Sequence, residues 1–265
     1  MKLPYLSVLQ LSDLHVLPAS EDKLLGVVTE YYFHEVLNHA LKQQEEYDLL
    51  LLSGDLAQSP CEKSYSRILQ TIQECNLLTR CLAGNHDNFA LMQQIFNTPN
   101  VNCAKHTVLG SWQIVMLNSQ ILSSEKGHLA QSELDFLEKT LDANPDLFTL
   151  IAVHHNCLPT GSAWLDTMTI QNSDELLEIA TQYENVKVIT TGHIHQEMHK
   201  MFGNILVLGT PSTCFQFSPN SEHFSMDKTP AGYRILHLFE NGEVSTTVNR
   251  LNHILNELEL DAAGY

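Results

Sequence analysis

Six consecutive residues, Leu82-Ala83-Gly84-Asn85-His86-Asp87, place an amide oxygen and an imidazole side by side after a short apolar run and a glycine. Asparagine is a neutral oxygen donor, and histidine can hold a metal or pass a proton. Similar donors recur elsewhere: Asp13-Leu14-His15, Ser53-Gly54-Asp55, His154-His155 and Gly192-His193-Ile194-His195. Each piece alone suits an ordinary turn, where Asn and Asp are common. With 14 histidines in the chain, some close pairs are also expected by chance. Their position changes the odds, because each follows a run that reads as a buried strand.

Those runs are 6–11, 49–52, 79–83, 148–153 and 186–189. The four leucines at 49–52 form a continuous apolar strand of the kind buried on both faces of a parallel sheet. Between the strands lie helical stripes. In 28–41 the pairs Tyr32/Phe33, Val36/Leu37 and Ala40/Leu41 recur every four residues. Ser132 with Asp135 reads as a capping box opening one helix, and Ser173 as the cap of another. Alternating strands and helices imply parallel strands, whose carboxyl ends collect ligands. The sequence therefore predicts one edge gathering two carboxylates, one amide and several imidazoles. Without cysteine among them, the donors suit Mn, Fe, Co or Zn rather than calcium or a structural zinc. They outnumber what one ion needs, so two ions are expected, with Asp55 as the natural bridge. Two divalent ions against Asp13 and Asp55 leave a charge of about +2 for a hydroxide and a phosphodiester to neutralise.

Beyond residue 205 the pattern turns β-rich, with an Asn241-Gly242 hairpin signal. The polar stretch 212–230 is long enough to be functional, a candidate wall or lid over the substrate. The expected organisation is a single domain over 1–250 followed by a short acidic tail, 251–265. With 31 acidic against 14 basic residues and a net charge of −17, the chain lacks the basic surface of a nucleic-acid binder, and an anionic membrane would repel it. Its six cysteines form no CxxC pair, and residues 1–13 lack the pattern of a signal peptide. The expectation is a cytoplasmic protein with reduced thiols, bound to neither nucleic acid nor membrane.

In order, Asp13-x-His15, Gly54-Asp55, Gly84-Asn85-His86-Asp87, His154 and Gly192-His193-x-His195 resemble the motif series of the calcineurin-like metallophosphoesterases. The closer resemblance is to bacterial class III 3',5'-cyclic-nucleotide phosphodiesterases, specifically those acting on cyclic AMP. It rests on Gly54-Asp55-Leu56-Ala57-Gln58, Gly161-Ser162-Ala163-Trp164-Leu165-Asp166, Thr210-Pro211-Ser212-Thr213-Cys214 and Gly264-Tyr265. The resemblance implies an α/β fold, a four-layer αββα sandwich of two mixed sheets flanked by helices. One metal would be held by Asp13, His15, Asp55 and His195, the other by Asp55, Asn85, His154 and His193. Asn85 and His86 would also meet the substrate phosphate, with His86 protonating the leaving 3'-oxygen. Where the family has proline soon after the ligand histidine, this chain has His155-Asn156, and His154 is taken as the ligand. Asp87 would orient a neighbour.

The implied reaction is hydrolysis of 3',5'-cyclic AMP to 5'-AMP by a hydroxide held between two metals, iron or manganese first, with zinc or cobalt as alternatives. A same-fold alternative is a broad phosphodiesterase or nucleotide hydrolase. A non-catalytic scaffold ranks lower, since it would show eroded ligands. Protein phosphatases of this superfamily set arginines beside their metals to grip a dianion. Here the four arginines all lie outside the metal motifs, which favours a small diester.

Overall fold

The computed structural model describes residues 4–43, 46–255 and 257–264. Its first sheet runs in the order β14-β13-β1-β2-β3-β4, and the second β5-β6-β7-β8-β10-β9. In the first sheet β1 (Tyr5–Leu11), β2 (Leu49–Ser53), β3 (Thr79–Leu82) and β4 (Val101–Asn102) are parallel. The hairpin β13 (Gly232–Phe239) and β14 (Val244–Arg250) adds antiparallel strands beside β1. In the second sheet β6 (Trp112–Leu117), β7 (Phe148–Val153), β8 (Val186–Thr191) and β10 (Ile205–Gly209) are parallel, flanked by antiparallel β5 (His106–Leu109) and β9 (Met198–Phe202).

The leucine run explains the layering. Leu49 and Leu51 point into an apolar layer shared with Trp112, Ile114, Leu150 and Val188 of the other sheet. Leu50 and Leu52 point the other way, against Phe33, Val36 and Ala40 of α1 (Thr29–Leu41) and Tyr65 and Ile68 of α2 (Glu62–Glu74). Both faces of β2 are thus apolar, as a strand inside a layered sheet requires. The second sheet repeats the scheme. Ile151 and Val153 of β7 pack under Leu134, Leu137 and Leu141 of α4 (Gln131–Ala143) and Leu176 and Ala180 of α5 (Ser173–Gln182). Helix, sheet, sheet, helix is the resulting order, and the expected αββα sandwich is observed. The remaining helix, α3 (Phe89–Ile95), follows the Asn85 loop.

Two helix starts differ from expectation. α4 begins at Gln131 behind Ala130, with no side-chain cap, so Ser132 and Asp135 form no capping box. The nearby Glu133 carboxylate instead accepts from the Asn118 N–H (2.9 Å) and pairs with Lys105 (2.8 Å). Ser173 is the first residue of α5 rather than its cap. Asn172 stands in the cap position, but its amide bonds the N–H and carbonyl of Leu129 (2.9 Å each). At α5 a long-range partner takes the capping amide, whereas at α4 the helix starts one residue early, so Ser132 lies inside it and Asp135 accepts from Gln131 one turn back (2.8 Å).

The stretch 212–230 carries a small hairpin of β11 (Gln216–Phe217) and β12 (Met226–Asp227). Beyond β14 the chain lies against the domain: Leu251 and Leu255 are buried, and the Glu259 N–H donates to the Leu25 carbonyl (3.0 Å). Among the described residues no helix is long and apolar enough to cross a membrane.

Candidate metal centre

Every sequence-predicted ligand leaves the carboxyl end of a parallel strand: Asp13 and His15 after β1, Asp55 after β2, Asn85 and His86 after β3, His154 after β7, and His193 and His195 after β8. At this edge the two sheets are tied by polar groups. The Gln10 amide donates to Ser53 Oγ (2.9 Å) and accepts from Thr190 Oγ1 (2.6 Å). Five of the ligand candidates sit in left-handed backbone: Asp13 (φ 55°), His15 (47°), Asp55 (49°), His193 (63°) and His195 (46°). Such positions cost roughly 1–3 kcal/mol each and persist where surroundings over-determine them. Backbone bonds hold two of them, Asp13 N–H to the Gly54 carbonyl (3.0 Å) and His15 N–H to the Asp55 carbonyl (2.9 Å), and the His193 N–H donates to Asp13 Oδ1 (3.0 Å). Gly84 has a separate requirement. A Cβ there would lie 2.2 Å from Asp55 Oδ1 and 2.7 Å from His154 Nε2, so only glycine lets the Asn85 loop approach.

The side chains fall into groups whose ligand atoms lie within 4.8 Å of one another: Asp13, His15 and His195; Asp55, His154 and His193; and His15, Asp55 and His86. His195 Nε2 is 3.4 Å from Asp13 Oδ1, and His154 Nε2 is 3.2 Å from Asp55 Oδ2. Asp55 Oδ2 also lies 4.0 Å from His15 Nε2, which puts one carboxylate between the groups. All of these except half-buried His86 are buried.

The imidazoles are oriented from behind. Gln58 Oε1 accepts from His15 Nδ1 (2.6 Å), the Phe215 carbonyl from His195 Nδ1 (2.9 Å), and the Ser53 carbonyl from His154 Nδ1 (2.8 Å). With each Nδ1 donating, each Nε2 turns inward as a donor to a cation. His15 Nε2 and His195 Nε2 then stand 3.1 Å apart. Two lone pairs at that distance call for a positive charge between them. Asn85 Oδ1 and both His193 ring nitrogens are buried without a hydrogen-bond partner. Buried polar atoms of this kind need an explanation, and bound ions provide one. The donor set fits the divalent metals that the oxygen and nitrogen chemistry implies. Of the adjacent histidines, His154 faces Asp55, whereas His155 Nδ1 meets Ser119 Oγ (2.7 Å).

Asp87 acts on backbone rather than on a ligand ring. Its carboxylate accepts from the N–H groups of Leu56 (3.1 Å), Ala57 (3.1 Å) and Gly84 (2.9 Å), and from the Tyr65 hydroxyl (2.9 Å). It therefore pins the Asp55 loop to the Asn85 loop. Burial and the Asp55 charge push its pKa up to about 6, against the pull of these donors. In Asp87→Asn an NH2 must face N–H groups, and the variant is expected to lose about 1–3 kcal/mol in urea unfolding. An unchanged midpoint would mean that the loops are held by other contacts.

Burial works against the ionised forms of Asp13 and Asp55. The imidazoles, His195 beside Asp13 and His154 beside Asp55, outweigh it and hold both carboxyls below their ordinary value. Burial likewise pulls on His154, but Asp55 and Asp13 raise its pKa to about 9. Burial dominates at His15, lowered to about 3, and at His193, lowered well below the ordinary value. In the metal-free protein at neutral pH, His154 is thus the imidazole among these three that carries a proton. A metal must displace that proton, so uptake is expected to release at least one proton near pH 7, and affinity to rise roughly tenfold per pH unit below about 9. Calorimetry in buffers of different ionisation enthalpy measures the release; none would remove His154 from the ligand set.

Gln58, Gln120 and Tyr65 carry no chemical signal in the sequence. Gln58 lies near Asp55 in a short motif, but only the structure turns it to His15. Gln120 Nε2 reaches the Gly84 carbonyl (2.9 Å), and Tyr65 sits under Asp87 from α2.

A family model described as calcineurin-like phosphoesterase matches residues 6–197. The 3',5'-cyclic adenosine monophosphate phosphodiesterase CpdA of Haemophilus influenzae is 39% identical over 249 residues, covering 94% of this chain and 91% of that protein. A 3',5'-cyclic-nucleotide phosphodiesterase of Nostoc is 35% identical over 254 residues, 96% of this chain and 95% of that protein. Among solved structures, a dimetal phosphatase from Danio rerio superposes with a TM-score of 0.65 at 13% identity, covering 93% of this chain and 99% of that one. That likeness concerns the fold.

Proposed function

The chain belongs to the calcineurin-like phosphoesterases, and on that footing we propose that it hydrolyses 3',5'-cyclic AMP to 5'-AMP at a two-metal centre. The observation that carries this reading is the pair of buried ligand groups at one sheet edge, with Asp55 between them. Asp13, His15 and His195 would hold one ion with Asp55, and Asn85, His154 and His193 the other. Two divalent ions supply, when bound, an acidified water and positive charge for the phosphoryl oxygens. Iron or manganese is the proposed pair, in keeping with donors that include no thiolate.

Asn85 and His86 line a cavity that opens beside these groups. The Asn85 amide would meet a phosphoryl oxygen as well as a metal, a role supported by its unpartnered Oδ1 and its place in the cavity lining. When the water oxygen joins phosphorus and the P–O3' bond breaks, O3' must take a proton. Of the two imidazoles lining the cavity, His193 is assigned to a metal, which leaves His86 for that role. Its backbone N–H donates to Asp55 Oδ1 (2.9 Å), which fixes its loop against the metal ligand. The acidic balance of the chain supports a small substrate over a polynucleotide. Among the described residues the six thiols are free, which supports a reducing, cytoplasmic setting.

Product analysis tests the reading. The protein supplied with Mn or Fe should convert 3',5'-cyclic AMP to 5'-AMP, with 2',3'-cyclic AMP and bis(p-nitrophenyl) phosphate as comparisons and a chelated control. Activity confined to the aryl diester would keep the metal chemistry and remove cyclic AMP as the substrate.

A further inference from the structure

The cavity beside the metal centre has a volume of about 250 Å³ and two unlike ends. Its polar lining is Asn85, His86, His193 and Glu125, and its apolar lining includes Met168 and the rings of Trp164, Phe217 and Phe224, which meet one another and form the aromatic end. Resting on the cyclic-nucleotide reading above, we propose that the aromatic end seats the nucleobase, with Trp164 and Phe224 as its stacking surfaces.

The aromatic end is a built surface. Trp164 meets Phe217 edge-on (centroids 4.9 Å apart, 80°) and Phe224 likewise (5.2 Å, 68°). Its indole N–H donates to Ser221 Oγ (3.0 Å), so its polar atom is satisfied by the loop after β11 and its orientation is set. The Asp166 carboxylate accepts from the Thr160 hydroxyl (2.8 Å) and backbone N–H groups of the same loop, bracing the Trp164 segment. The Ala163 N–H donates to the Ser221 carbonyl (2.9 Å) and joins the two loops. Phe217 stacks on His195 (4.3 Å, 22°), which makes the wall continuous with the metal ligands.

Trp164, Met168 and Phe224 are only half-buried. A bare phosphate diester has no use for that apolar surface. A cyclic nucleotide has an anionic phosphate at one end and a flat heteroaromatic base at the other, the same polarity as the cavity. Bases stack on aromatic side chains with little demand on hydrogen-bond geometry, and each such contact changes affinity roughly tenfold to hundredfold. The stretch 212–230 thus supplies a wall of the substrate site through Phe217 and Phe224, and Gly264 reaches the same cavity from the C-terminal segment.

The test compares metal-loaded wild type, Trp164→Ala and Phe224→Ala on 3',5'-cyclic AMP and on 1,3-propanediol cyclic phosphate, a six-membered cyclic diester without ribose or base. Each variant is expected to raise KM for cyclic AMP roughly tenfold or more, with kcat/KM for the base-free diester within twofold and metal content unchanged. Titration with 5'-AMP should quench wild-type tryptophan emission, ribose 5-phosphate should not, and Trp164→Ala should abolish the quench. Unchanged KM for cyclic AMP in both variants, or equal losses on both diesters, would overturn the subsite. A wild type that opens the base-free diester but not cyclic AMP would overturn the substrate reading, and the subsite with it.

Discussion

Asp55→Ala is expected to strip both ions from the protein and to lower kcat/KM for the cyclic diester roughly thousandfold or more. The carboxylate stands between the two groups, 3.2 Å from His154 Nε2 and 4.0 Å from His15 Nε2. Its other oxygen accepts the His86 N–H (2.9 Å), so the substitution also removes one of the bonds that hold the loop carrying Asn85 and His86. Removing it halves the carboxylate charge that Asp13 and Asp55 offer the metals and leaves His154 Nε2 without the carboxylate beside it. Alanine is also a poor residue for the left-handed backbone at this position (φ 49°). Asp55→Asn separates the effects: it keeps an oxygen for the His86 N–H and should retain the fold while binding metal more weakly. Elemental analysis beside steady-state kinetics reads the result. Two ions retained by Asp55→Ala at full activity would show that the carboxylate does not bridge.

His86→Ala is expected to behave differently, keeping both ions and losing rate. Its contact to Asp55 is made by the backbone, which the substitution leaves in place. The imidazole is half-buried on the cavity side, where the leaving oxygen of a substrate would lie. Loss of a general acid costs roughly 10²- to 10⁴-fold when the departing group is a poor one such as a ribose alkoxide. Nitrophenolate leaves without a proton, so bis(p-nitrophenyl) phosphate should suffer far less. Equal losses on both substrates would reassign His86 to holding phosphate or metal, a role its place within reach of His15 and Asp55 also permits.

The two variants probe different parts of one edge, and the residues gathered at that edge were legible before any fold. Asp13, His15, Asp55, Asn85, His86, His154, His193 and His195 all follow apolar runs in the sequence, and all stand at strand ends in the structure. The reason is local. A parallel strand buried on both faces must be continuously apolar, as at Leu49–Leu52, and the first polar residue after it marks the sheet edge. Tight approach of the loops demands glycine at positions such as Gly84, which makes the motif visible.

Tertiary structure decided the rest. Spacing along the chain says nothing of how two sheets face each other, so the meeting of Asp55 with His154 and of Asp13 with His195 comes only from the packed layers. The same holds for Gln58 behind His15 and Asp87 under two loops, because side-chain bonds across long separations leave no period to read. The start of α5 is likewise set by a long-range partner, because the Asn172 amide bonds Leu129 instead of its own helix. Left-handed backbone at five of the ligand candidates suits Asp and His better than most side chains, and at Asp13 and His15 it is held by bonds to the Gly54 and Asp55 carbonyls that only the fold supplies. The aromatic cavity needs Trp164, Phe217 and Phe224 from two separate loops, and no single stretch of sequence contains it.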